Sequence, residues 1–222
     1  MAETFLPNVK WDKVLDAAYE TVYMTGVSVA ATFFLGIILG LLLFLTSKGN
    51  IWQNNVIHSI VAAIVNIFRS IPFIILIILL LPFTKAVVGT ILGANAALPA
   101  LIIGAAPFYA RMVEIALREV DKGVIEAAKS MGATTSTIIF KVLIPESLPA
   151  LVSGITVTAI ALVGYTAMAG AIGAGGLGNL AYLEGFQRNH NDVTLVATIL
   201  ILIIVFLIQF IGDMITKSID KR

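Results

Sequence analysis

Few side chains in this sequence could do chemistry, and their spacing rules out most reactions. There is no cysteine, so disulfides, thiolate metal sites and a cysteine nucleophile are excluded. The two histidines, His58 and His190, stand too far apart to suggest a metal cluster. No Ser–His–Asp pattern and no pair of carboxylates inside an apolar stretch is visible, so intrinsic catalysis is not expected. Gly173-Ala174-Gly175-Gly176-Leu177-Gly178 formally satisfies the G-x-G-x-x-G fingerprint of dinucleotide binding. That fingerprint needs a strand before it, a helix after it and an acidic residue about 20 positions on. Here it follows a long apolar stretch, and a tight turn or close backbone packing accounts better for its glycines. The phosphate loop G-x-x-x-x-G-K-[ST] does not occur, so the chain is expected to bind no nucleotide itself. Arg111 and Glu114, spaced i, i+3, can pair on one helical face, as a structural pair in preference to a proton relay. What remains is a polar segment from Arg111 to Glu146, with Glu126-Ala127-Ala128-Lys129-Ser130-Met131-Gly132 at its centre.

The elements that must position this segment are membrane spans. The chain is 59% hydrophobic and only 12% charged over 222 residues, whereas soluble domains carry about 25% charged residues. One soluble core could not hide that much apolar surface; a bilayer can. Crossing its hydrocarbon takes about 20 apolar residues as a helix. Residues 21–47, 86–110, 147–183 and 193–212 meet this test without an Asp, Glu, Lys or Arg. The third is too long for one span and reads as a helix followed by a Gly-rich loop. A fifth region, 56–82, is interrupted by Asn66, Arg69 and Pro72; it reads as one span with a polar cytoplasmic half, or as two shorter helices. The expected fold is therefore an all-α integral membrane protein of about five transmembrane helices, one domain over 1–222. The first twenty residues are amphipathic and mixed in charge, so no cleavable leader is expected.

Orientation follows from the basic residues of the short loops. Five spans with the N-terminus outside put Lys10, Lys13, Lys85 and Arg188 outside. The other ten of the fourteen, namely Lys48, Arg69, Arg111, Arg118, Lys122, Lys129, Lys141, Lys217, Lys221 and Arg222, then lie inside. The net charge of +1 leaves no basic field for a nucleic acid. Arg69, at the edge of an apolar stretch, reads as an interface anchor or as a contact with the inner loop.

On this topology 119–146 is the main hydrophilic body on the inner face. Its residues predict two short helices joined at Gly132. Glu126 is expected in an early turn, where the helix macrodipole favours a carboxylate. Gly132 ends the first helix in the left-handed conformation, Thr134 or Thr135 caps the second, and Pro145 breaks the chain before the next span.

Glu-Ala-Ala at 126–128, three residues, Gly132, nine residues and then Val142-Leu143-Ile144-Pro145 resembles the signature loop of bacterial ABC importer permeases. The family usually ends this pattern I-x-L-P, so Val142 and Ile144 are conservative departures. The resemblance implies a type I importer permease, in which this loop is a coupling helix docked into a cleft on a separate ATPase. Ala127 and Ala128 would let it sit close, and Gly132 would allow the turn. It further implies a second copy of the chain, two cytoplasmic ATP-binding subunits that hold ATP and magnesium, an extracytoplasmic substrate-binding (lipo)protein, surrounding lipid and a place in the bacterial inner membrane.

Over most of its length the chain is similar to methionine importer permeases, notably at Asn66-Ile67-Phe68-Arg69-Ser70-Ile71-Pro72-Phe73, Gly104-Ala105-Ala106-Pro107-Phe108 and Leu162-Val163-Gly164-Tyr165. Tyr165 and Met168, three apart among small residues, share a face of the fourth span. They read either as ordinary packing or as gate residues beside the pathway. A permease for another small solute remains a second expectation. An ion-coupled transporter would need acidic residues inside its spans, which these stretches lack.

Overall fold

The computed structural model describes residues 6–220, and every regular element within them is helical. The chain runs through α1 (Trp11–Thr46), α2 (Asn55–Ser70), α3 (Phe73–Leu79), α4 (Leu81–Val88), α5 (Ala94–Arg118), α6 (Lys122–Ser130) and α7 (Thr135–Ile138). A π-helical turn, Ile139–Leu143, leads into α8 (Ile144–Ala171). Then come α9 (Gly176–Leu180), a second π turn, Ala181–Gln187, and α10 (Asn191–Ile219). Four helical runs are long and apolar enough to cross a membrane: α1, α5, the run from α7 through α8, and α10. The pair α2 and α3 makes up to a fifth span, bent by 107° at its break.

Small residues set the packing of the bundle. A Cβ on Gly36 would run into the ring of Tyr109, and one on Gly40 into Val113 and the carbonyl of Ala110. These glycines let α1 approach α5 backbone to side chain, the usual device where neither helix gains by leaving lipid. The inner part of the core gathers Phe44, Leu45, Tyr109, Leu117, Leu143 and Leu151 from α1, α5 and the α7–α8 run. Nearer the outer end Val14 and Ala17 pack with Leu177, Leu180, Val193 and Ala197.

Several sequence expectations are corrected here. Stretch 86–110 is not the helix: Gly89 and Gly93 take φ of +84° and +89°, so α5 starts only at Ala94. It then continues past Ala110 to Arg118, because Glu114 neutralises Arg111 and Arg118 within the helix. Pro145 breaks nothing. It lies in the first turn of α8, and the π turn before it absorbs the missing N–H, so the helical run continues from 135 to 171. Region 56–82 divides at Ile71 and Pro72, as the two-helix alternative has it. Arg69, by sequence an interface anchor or a contact with the inner loop, lines a cavity together with Gly104 and Phe108 of α5. Lys221 and Arg222 lie outside the described residues. Stretch 147–183 is a helix followed by a glycine turn, as its length suggested.

Candidate functional site

The inner segment is built by local rules. Asp121 caps α6, its carboxylate accepting from the Gly123 N–H at 2.6 Å. At the other end the Gly132 N–H donates to Lys129 and the Ala133 N–H to Ala128, both near 3 Å. That pair of bonds is a Schellman motif, and Gly132 occupies its left-handed position with φ +78°. Thr134 then caps α7 through the Thr137 N–H. Helix, turn and helix are thus fixed by three short-range caps.

Burial divides the segment into an inner and an outer face. Ile125 and Ala128 are buried and join Leu117, Val120, Ile138 and Ile139 in the core. Ala128 therefore anchors the segment to its own protein, and only Ala127 of the alanine pair is exposed. Glu126 is exposed too, and stands one turn inside α6, whose first turn carries no acidic residue. The macrodipole expected to favour it acts mainly within the first turn. Lys129 and Ser130 are exposed, the Ser130 hydroxyl donating to the Glu126 carbonyl at 2.9 Å. Val124, Ala127 and Met131, spaced i, i+3 and i+7, form an apolar stripe that ends on Met131 at 81% exposure. Phe140 adds an exposed ring from the π turn, and Pro145 is exposed beyond it. Val124 and Phe140 were not singled out from sequence, although the i, i+7 spacing of Val124 to Met131 and the apolar character of both in a polar stretch were the available signals.

One buried carboxylate stiffens the helix that leads into this segment. Glu114 is 1% exposed, and its two oxygens accept from Arg111 at 2.6 Å and Arg118 at 2.5 Å. The pair expected from i, i+3 spacing is thus a triad holding the last two turns of α5.

Tyr165 and Met168 part company. Tyr165 stacks on Phe73 of α3 with ring centres 4.5 Å apart and planes within 2°. Met168, one turn further along α8, is 48% exposed on the surface of the chain.

The glycine-rich stretch follows a helix, not a strand, which removes the dinucleotide fingerprint. Gly173, Gly175 and Gly176 all have positive φ. The turn is stitched to its neighbours: the Gly93 N–H donates to the Gly173 carbonyl, Gly176 to the Glu20 carboxylate at 2.6 Å and Leu177 to the Thr21 hydroxyl at 2.9 Å. Among the described residues no group of three or more His, Asp or Glu could hold a metal ion.

Comparison with known proteins places this architecture. Residues 33–222 match the model of the family described as binding-protein-dependent transport system inner membrane component. The chain is 73% identical to the methionine import system permease protein MetP of Bacillus subtilis, with all of both chains covered. It is 49% identical to a probable D-methionine transport system permease protein, MetI, of Pasteurella multocida, over 96% of this chain and 98% of that one. A chain of the MetNI methionine ABC transporter, solved in an inward-facing conformation, superposes with a TM-score of 0.93 at 47% identity, covering all of both chains. The chain belongs to the family of binding-protein-dependent transport system inner membrane components.

Proposed function

We propose that this chain is the permease subunit of an ATP-driven methionine importer in the bacterial inner membrane. Two copies form the pathway, two separate cytoplasmic subunits bind ATP and magnesium, and an extracytoplasmic binding protein delivers the substrate. The observation that carries the import reading is the exposed apolar stripe of Val124, Ala127 and Met131 on a segment capped at every end. Exposed apolar side chains beside buried anchors mark a docking face. The names of the relatives support methionine as the cargo.

In this reading α6 seats its stripe in the cleft of the ATPase, with Glu126, Lys129 and Ser130 at the rim and Gly132 fixing the turn. Phe140 and Pro145 lie where the segment passes into the span. Movement of the ATPase pair is transmitted by two stiff connections. One is the end of α5, clamped by Glu114; the other is the helical run 135–171, which leads from the segment to Tyr165 and Met168 without a break. The permease itself performs no hydrolysis. Met168 narrows the pathway where the two copies meet, and Tyr165 supports it from the wall.

The test is reconstitution of the full complex in liposomes with labelled methionine outside. ATP-dependent uptake, and a crosslink from Ser130→Cys to a cysteine in the ATPase cleft, are expected. Absence of both sinks the assignment. Met168→Ala should raise leak or basal ATP hydrolysis while assembly is kept; unchanged values would return Met168 to simple packing.

A further inference from the structure

We propose that the break between α2 and α3 is a transit subsite for a free amino acid, with Arg69 receiving its carboxylate; this rests on the reading of the chain as an amino-acid permease. The break opens onto a cavity of about 270 Å³ whose walls include Phe68, Arg69, Phe73, Gly104, Phe108 and Tyr165. Drug-sized ligands fill pockets of roughly 300–1,000 Å³, so this one suits a single small amino acid.

Arg69 is the unexplained group in that wall. It sits in the last turn of α2, is exposed, and makes no ion pair with any described carboxylate. Its cavity is shared with Gly104 and Phe108, residues from the middle of α5. An unpaired cation at membrane depth is costly against lipid and is found facing water or an anion. Asn66, three residues before it, shares its helical face, and Ser70 follows it; both are polar and exposed. The planar fork of arginine matches a carboxylate bidentately, which gives the site a geometric reason to prefer this anion.

The other two parts of an amino acid also find partners. In a continuing helix the carbonyl of Phe68 would accept from the nitrogen of residue 72, but Pro72 has no hydrogen to give. The end of α2 therefore turns unpaired carbonyls and the negative pole of its dipole toward the break, where an ammonium is favoured. Broken helices serve ions and charged substrates in this way in other transporters. Phe73, stacked on Tyr165, and Phe108 supply ring surfaces for the side chain, and a thioether makes favourable contacts with aromatic rings. Tyr165 belongs to α8, which is continuous with the inner segment, so movement of that helix alters the wall of the subsite.

The experiment uses the reconstituted complex with its ATPase and binding protein. If the unsubstituted complex takes up no methionine, the permease reading fails and this proposal with it. Given uptake, Arg69→Gln is expected to lower the rate per complex about tenfold or more, the loss of a charge-assisted bidentate contact. Arg69→Lys should recover part of it, and co-purification of the ATPase subunit monitors assembly. Independently of any variant, a diazirine analogue of methionine delivered by the binding protein and irradiated during ATP turnover should label peptides spanning 68–76, 104–108 or 165. Full uptake by Arg69→Gln, or label confined to other segments, overturns the subsite while leaving the permease assignment intact. If Arg69→Gln fails to assemble, the labelling pattern alone decides.

Discussion

Two glycine turns, one at each end of the bundle, both use positive φ but in opposite surroundings. At the outer end Gly173, Gly176 and Leu177 are hydrogen-bonded to the chain's own Gly93, Glu20 and Thr21, and Gly178 lies against the backbone of Ala167. At the inner end Gly132 is equally left-handed, yet a Cβ added there would touch nothing. Its neighbours Met131 and Val124 are exposed apolar residues. The outer turn is packed against its own chain, whereas the inner turn stands in open space beside exposed apolar residues. A positive φ alone thus does not separate a glycine packed within the chain from one left open on its surface.

The largest effect should come from the outer turn. In Gly178→Ala the new methyl would collide with the Cα and carbonyl of Ala167, which are main-chain atoms and cannot swing away. Overpacking of this kind costs about 1–3 kcal/mol. Lower membrane levels and a melting temperature depressed by several degrees are expected in the purified complex. A variant with unchanged melting would show that the outer turn is not held as tightly as its contacts imply.

Gly132→Val should reverse that pattern. The left-handed conformation costs a β-carbon residue about 1–2 kcal/mol, confined to a turn with open space around it. Membrane level should stay near that of the parent and melting should drop by only a few degrees, while association with the ATPase weakens and uptake falls at least tenfold. Normal uptake would remove the inner segment from the coupling machinery and leave the contrast between the turns without functional meaning.

Why one turn was legible in the sequence and the other only in part follows from the range of the forces. The inner segment rests on contacts within a few residues: Asp121, Gly132 and Thr134 are cap residues acting on their own neighbourhood, and spacing reveals the last two. The outer turn rests on Glu20 and Thr21, more than 150 residues away in the chain, and no local pattern points to them. The same limit hid the inward face of Ala128, the passage of the helix through Pro145 and the cavity that Arg69 lines. Each depends on what another helix places opposite. Apolar length found the spans, but charge was a poor guide to where α5 ends, because Glu114 neutralises two arginines without leaving the helix.

Glu114 provides the third test, on the inner side. Glu114→Gln leaves two guanidinium groups against one neutral amide. Removing a partner from a buried pair costs 3–5 kcal/mol, but both arginines here are partly exposed and can turn to water. A loss of about 1–2 kcal/mol follows once that screening is allowed for. Melting should drop by a few degrees, with uptake reduced less than in Gly132→Val. An uptake defect larger than that of Gly132→Val, at unchanged melting, would make the triad part of the coupling movement and not merely its support.

The smallest effect belongs to the outer surface, where Lys13 and Arg188 both donate to Glu184 at 2.7 Å. The hydrogen bond from Lys13 is the main cause that holds the Glu184 carboxyl below its ordinary range, with Arg188 assisting. The folded state therefore prefers the charged form more than the unfolded chain does. Its contribution is fully present above the ordinary glutamate pKa of about 4.3 and is lost as pH falls through the lower, folded value. Between pH 5 and 8 the bridge should not respond to pH at all. Surface pairs are worth about 1 kcal/mol or less, so Glu184→Gln should change melting by a few degrees at most at neutral pH. Below about pH 4 the difference between parent and variant should shrink toward zero. Hydrogen exchange of the amides around 184–188, followed from pH 7 down to pH 3.5 with rates corrected for intrinsic pH dependence, reads the bridge directly. Protection that already weakens between pH 7 and 6 would show that the Glu184 bridge does not control this segment.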